Sequence, residues 1–128
     1  MAELSTEDID LIANPFFKAI TAGNIEAVKA AYAPSATIWH NFDEKDQVPE
    51  DNALTLAFLH SRAQNLQYTE IRRFASPGGF VQQHVLVGDA KGGRLRVPAI
   101  IRFWVEDGRI TRLEEYLDTR QVAVLSKG

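Results

Sequence analysis

The spacing of apolar residues changes character part-way along the chain. Early on, Ile9, Ile12, Phe16, Ala19 and Ile20 recur at the three- and four-residue intervals of one helix face. Ser5 precedes this run as a capping residue, and Asp8 stands where its carboxylate can reach back to complete a weaker form of the capping box. Pro15 predicts a kink or a break inside the element. Gly23-Asn24 ends it, Asn24 caps a second helix from Ile25 to Tyr32, and Ala33-Pro34 stops that helix. Ala36 to His40, rich in β-branched and aromatic residues, reads as a strand. A third helix is expected from Asp51 to Asn65, with Leu54, Phe58 and Leu59 facing inward.

Beyond that helix the period falls to two. Gln67 to Phe74, Phe80 to Val87, Arg94 to Val105 and Ile110 to Asp118 read as strands. Ser76-Pro77-Gly78-Gly79, Gly88 to Gly93 and Glu106-Asp107-Gly108 read as the turns between them. Helices first and a meander of long antiparallel strands afterwards is an α+β order, in which the helices collect on one face of a curved, cone-shaped sheet. One domain over residues 1–128 is expected. In the strand from Arg94, residues Leu95, Val97, Ala99, Ile101, Phe103 and Val105 share one apolar face. Arg94, Arg96 and Arg102 share the other with Pro98, Ile100 and Trp104, a mixture suited to packing on a partner, so a homodimer through the outer sheet face is expected.

The last strand carries chemistry. Alternation puts Glu114, Tyr116 and Asp118 on one face and Leu113, Glu115 and Leu117 on the other. The first row suits a sheet that curls around a cavity in which a carboxylate and a phenol are used. His40 and His84 lie in strands beside apolar neighbours. An imidazole next to a carboxylate in a dry cavity can exchange a proton near pH 7. Asp118, His84 and His40 are therefore the candidate catalytic residues. Asn41, Tyr116 and Gln82 are expected to position a substrate oxygen, and Trp39, Phe16, Phe17, Phe58 and Leu86 to line the pocket. Strand parity leaves two orientations open at residues 82–87: either His84 faces the cone or Gln83 and Val85 do. His40, His84 and Asp118 could serve as three metal ligands, but no H-x-H or H-E-x-x-H spacing supports this, and neither a metal nor a cofactor is expected. No G-x-S-x-G elbow or phosphate-cradling glycine loop is present.

Charge and composition narrow the partners. A net charge of −3 with 14 scattered Lys and Arg residues argues against a nucleic-acid surface. The absence of cysteine removes disulfides, thiolate chemistry and Cys-ligated metals. The first residues are acidic and polar where a signal peptide would be basic and then apolar, and no apolar run approaches the ~18 residues that cross a bilayer. A cytoplasmic protein without membrane attachment is expected.

Three stretches carry a family resemblance: Ala22-Gly23-Asn24-Ile25-Glu26-Ala27-Val28, then Tyr32-Ala33-Pro34-Ser35-Ala36-Thr37-Ile38-Trp39, then Asp107 to Asp118. With the order of elements, they make nearly the whole chain resemble the nuclear transport factor 2-like superfamily and, within it, the SnoaL-like group. The resemblance implies the cone-shaped α+β roll and leaves the activity open, because the fold hosts isomerases, dehydratases, cyclases, hydrolases and non-enzymes. Ketosteroid isomerases in this superfamily place a base and two oxyanion donors at positions that here look like His40, Phe16 or Phe17, and Ile100 or Ile101, so both donors are missing. Limonene epoxide hydrolases carry Tyr-x-Asn and a late Asp, which look like Trp39-His40-Asn41 and Asp118, but their Arg-x-Asp falls on His84-Val85-Leu86 or on Val85-Leu86-Val87, so the second carboxylate is absent. The SnoaL-like cyclases and the dehydratases use His and Asp, types that His40, His84 and Asp118 supply. The expectation is a cofactor-free acid-base enzyme acting on a small, mostly apolar, oxygen-bearing molecule; the alternative is a non-catalytic binding or interaction protein on the same fold.

Overall fold

The computed structural model describes residues 3–127. Helix α1 (Thr6–Ala22) starts at the expected capping box: the Asp8 amide donates to Ser5 Oγ at 3.1 Å and the Ser5 amide donates to Asp8 Oδ2 at 3.2 Å. Pro15 neither breaks nor ends the helix. It sits on the exposed side, where the single hydrogen bond that it removes can be replaced by water. Gly23, at φ 72, closes α1 in the left-handed conformation that glycine adopts without steric cost. Asn24 caps α2 (Ile25–Ala30), which is shorter than expected because Tyr32 already belongs to strand β1 (Tyr32–His40). A two-residue strand β2 (Asp46–Gln47) and helix α3 (Pro49–Arg62) follow. On α3 the buried side chains are Asn52 and Ala53, while Leu54, expected inward, is 73% exposed. The helix is rotated from the expected face so that Leu56 packs against the core.

Strands β3 (Ala63–Ser76), β4 (Gly79–Ala90), β5 (Gly93–Glu106) and β6 (Arg109–Leu117) are each at the expected place, and β3, β4 and β5 are longer than expected. The six-stranded sheet has the order β2-β1-β6-β5-β4-β3, with β1 parallel to β6 and every other pair antiparallel. Asp107 and Gly108 both have positive φ, 53 and 76, the signature of a tight primed turn joining β5 to β6. Two register shifts interrupt the β3–β4 ladder, one between Gln64 and Gln67 and one between Thr69 and Arg72. At each, two β3 residues face one on β4, and Asn65 and Glu70 take positive φ values of 56 and 54. Bulges of this kind bend a strand, and here they curl the far edge of the sheet into the cone. Past β6, a short helix α4 (Thr119–Val122) and a 3-10 turn (Ala123–Ser126) lie over β5, elements that the sequence reading did not anticipate.

The core lies between α1 and the concave face of the sheet. Phe16 and Phe17 from α1 meet Phe103 edge-on, at 5.7 and 5.9 Å between ring centroids, and Phe103 stacks on Phe80 at 4.4 Å. Leu95, Val97, Ala99, Ile101 and Phe103 are all buried, as their alternation requires, and a second cluster around Leu66, Leu95 and Leu125 closes the other end.

Candidate functional site

The concave face of the sheet, α1, α3 and the C-terminal turn enclose a cavity of about 420 Å³, a size typical of small-molecule sites. Its wall is mainly aliphatic, with Ile20, Leu56, Leu86, Val97 and Leu113 among its members. The polar groups at the wall include the ionisable or aromatic His40, His84, Glu115, Tyr32 and Tyr68, together with Asn52 and the hydroxyls of Thr55, Thr119 and Ser126.

Parity decides which side chains reach the cavity. On β6 the buried positions are Ile110 and Leu113, and the cavity is lined by Leu113, Glu115 and Leu117. The face expected to serve the cavity, Glu114, Tyr116 and Asp118, points elsewhere. Burying two leucines outweighs the preference of one carboxylate for water, so Glu115 goes in with them. Glu115 pairs with His40 across the β1–β6 ladder, and His40 Nε2 lies 3.2 Å from Glu115 Oε1 with both side chains largely buried. Phe42 stacks on the His40 ring at 5.0 Å.

Asp118 is not in the cavity. It caps α4, pairing with Arg120 Nη2 at 2.9 Å and accepting from the Arg120 amide at 2.9 Å, and the guanidinium first, then the amide, hold its carboxyl below the usual carboxylate range. Asn41 is likewise structural: its side chain donates to the Leu117 carbonyl at 3.1 Å and accepts from the Leu117 amide at 3.0 Å, stitching β1 to β6. Trp39 faces the outer surface because its neighbours Ile38 and His40 are both buried on the inner one, and it meets Tyr116 there at 5.3 Å. Of the expected lining residues, Phe16, Phe58 and Leu86 reach the cavity, Phe58 at a half-exposed rim position. Phe17 is buried behind the wall, edge-on to Tyr68 at 4.8 Å and to His84 at 5.5 Å.

The orientation left open at β4 resolves with His84 inward: it is buried, and it lines the cavity. Burial pulls its pKa down to about 4 against the opposing charge of Glu115, and the Arg73 guanidinium adds to the lowering. Gln82, expected to hold a substrate oxygen, is fully buried between Arg73 and His84. Tyr32 and Tyr68, which sequence reasoning missed, also line the cavity, and burial near the Glu115 charge raises the pKa of both phenols, so both remain protonated. Tyr32 Oη is buried with no hydrogen-bond partner among the described residues. Among those residues, no group of three or more His, Asp or Glu side chains could hold a metal ion.

The sequence model of the SnoaL-like domain matches residues 13–113, most of the chain. The protein belongs to the SnoaL-like domain family. No protein of curated function matches it. Solved structures with the SnoaL-like, nuclear transport factor 2-like fold superpose closely. PrhC from Penicillium brasilianum NBRC 6234 is 15% identical at a TM-score of 0.81, covering 93% of this chain and 85% of that one. A putative polyketide cyclase from Xanthomonas campestris pv. campestris is 19% identical at a TM-score of 0.77, covering 94% and 98%. A hypothetical protein of ketosteroid isomerase-like fold from Catenulispora acidiphila DSM 44928, solved in complex with trimethylamine, is 19% identical at 0.76, covering 90% and 91%. At these identities the likeness establishes the SnoaL-like fold of this chain.

Proposed function

We propose that this SnoaL-like protein is a cofactor-free enzyme that moves a proton at a carbon beside the carbonyl of a small, mostly apolar molecule. The observation that carries this reading is the His40–Glu115 pair, 3.2 Å apart on the wall of a largely aliphatic cavity. Glu115 takes the proton from the C–H bond while His40 Nε2 steadies the carboxylate, and the electron pair of that bond passes to the carbonyl as an enolate. Protonated phenols at Tyr32 and Tyr68 supply donors to the developing oxygen charge. The proton then returns from Glu115 to another carbon, giving isomerisation, or the enolate attacks a second carbonyl carbon, giving ring closure, and the resulting alkoxide oxygen takes the proton back from Glu115. Glu115 thus stands in place of Asp118 as the carboxylate of the pair, and it moves the proton that a histidine was expected to move.

Deuterium exchange tests this without a known substrate. A panel of small cyclic ketones and enones in heavy water, followed by proton NMR, should show accelerated exchange beside the carbonyl. Glu115→Gln or His40→Gln should slow it by roughly 100-fold or more. Binding of the panel without any acceleration by the wild-type protein would favour a non-catalytic ligand-binding role. We also place a second copy of the chain on the outer sheet face, where half-exposed Ile100 and Tyr116 lie beside Trp39 and Trp104.

A further inference from the structure

A hydrogen-bonded chain leads from the surface of α1 to the cavity. Arg73 Nη1 donates to Asp10 Oδ1 at 2.9 Å and to Asn14 Oδ1 at 2.6 Å, which fixes the guanidinium against α1. Its Nε donates to Gln82 Oε1 at 2.6 Å. Gln82 Nε2 in turn lies 2.8 Å from His84 Nδ1, deep in the fold. Arg73 faces inward at all only because of the second β3 bulge. Glu70 and Ile71 together oppose His84, so the inner face passes from Tyr68 to Arg73 and skips Arg72.

The direction of every bond in this chain is determined. A guanidinium can only donate, so the amide oxygen of Gln82 must face Arg73 and its NH2 must face His84. An amide NH2 can only donate, so His84 Nδ1 must accept, and the ring proton is left on Nε2. That nitrogen has no hydrogen-bond partner among the described residues, and it is not among the sealed, unpaired atoms of the interior. We infer that Arg73, acting through Gln82, locks His84 as its Nε2–H tautomer, so that His84 donates a hydrogen bond to a ligand oxygen in the cavity and does not collect protons. The ligand chemistry it selects is an acceptor: a carbonyl or enolate oxygen. Arg73 and Gln82 are positioning residues for that donor. The catalytic consequence rests on the function proposed above, whereas the tautomer itself does not.

Long-range proton–nitrogen correlation NMR on the nitrogen-15-labelled protein reads the tautomer directly, with no ligand present. The wild-type protein at pH 7 should show His84 neutral with its proton on Nε2. In Gln82→Glu a carboxylate presents only acceptors, and the proton should move to Nδ1. Arg73→Met should give a mixture of tautomers as the amide becomes free to flip, and Arg73→Lys, which keeps a donor, should restore the wild-type pattern. In the exchange assay Arg73→Met should lower kcat by roughly 10- to 100-fold with little change in KM. A wild-type spectrum with the proton on Nδ1, or with a charged ring, would overturn the inference even if no variant folds. Absence of exchange activity with the Nε2–H tautomer intact would strike the proposed function and leave the relay standing.

Discussion

At the scale of single residues, His84 makes an unusual thermodynamic demand. Its folded pKa, about 4, lies below the ordinary value of 6.5. Between those two values the unfolded chain carries a proton that the folded one lacks, so unfolding takes up a proton and stability rises with pH. The contribution is fully present above pH 6.5 and is lost as pH falls toward 4, on the order of 3 kcal/mol across the window. Urea denaturation between pH 4 and 7 should show this slope, and His84→Leu should flatten it. An unchanged slope in that variant would assign the acid sensitivity to other groups. His40 and Phe16 could be read from the sequence because aromatic and histidine positions in an alternating strand or a periodic helix have few places to go, whereas parity leaves open the side on which His84 lies and the structure decides it. Glu115 could not, because between two leucines a glutamate follows its neighbours' burial and not its own hydration.

At the scale of elements, the two carboxylates near the end of β6 separate cleanly. Asp118→Asn keeps a capping side chain for α4 and should leave the exchange rate at the wild-type level, whereas Glu115→Gln should not. Equal losses in the two variants would return Asp118 to the site. Asn41 is the other joint: Asn41→Leu removes both partners of the Leu117 backbone and should cost on the order of 1–3 kcal/mol by urea denaturation. Element types and turns were legible because their signals are local: the Ser5–Asp8 box, Asn24, Pro77-Gly78 and Asp107-Gly108 all lie where the sequence put them. The β3 bulges were not, since Glu70-Ile71 contains no glycine to announce a positive φ, and plain alternation there would send Phe74, which is half exposed, into the core. Asp118, expected from the sequence to be catalytic, is the capping residue of the Thr119–Val122 helix.

For the molecule as a whole, the outer sheet face should set the assembly. Arg102 lies over the Trp104 ring at 4.4 Å, and Ile100 pairs with Tyr116 across the ladder, so apolar and cationic groups alternate over one continuous surface. Sedimentation of the wild-type protein should give the mass of two chains, and Ile100→Glu combined with Tyr116→Glu should reduce it to one. A variant of unchanged mass would move the interface elsewhere.

The parallel seam between β1 and β6 has a consequence for how the protein comes into being. Asn41 and Leu117, which lock that seam, are 76 positions apart, and His40 meets Glu115 only across it. A chain still on the ribosome with β6 unmade holds one half of the His40–Glu115 pair and an unclosed wall. Contacts of such long separation form slowly, after the local hairpins of β3, β4 and β5. The pair therefore appears with the closing ladder, and a premature stop before Arg109 yields a polypeptide in which the pair never exists.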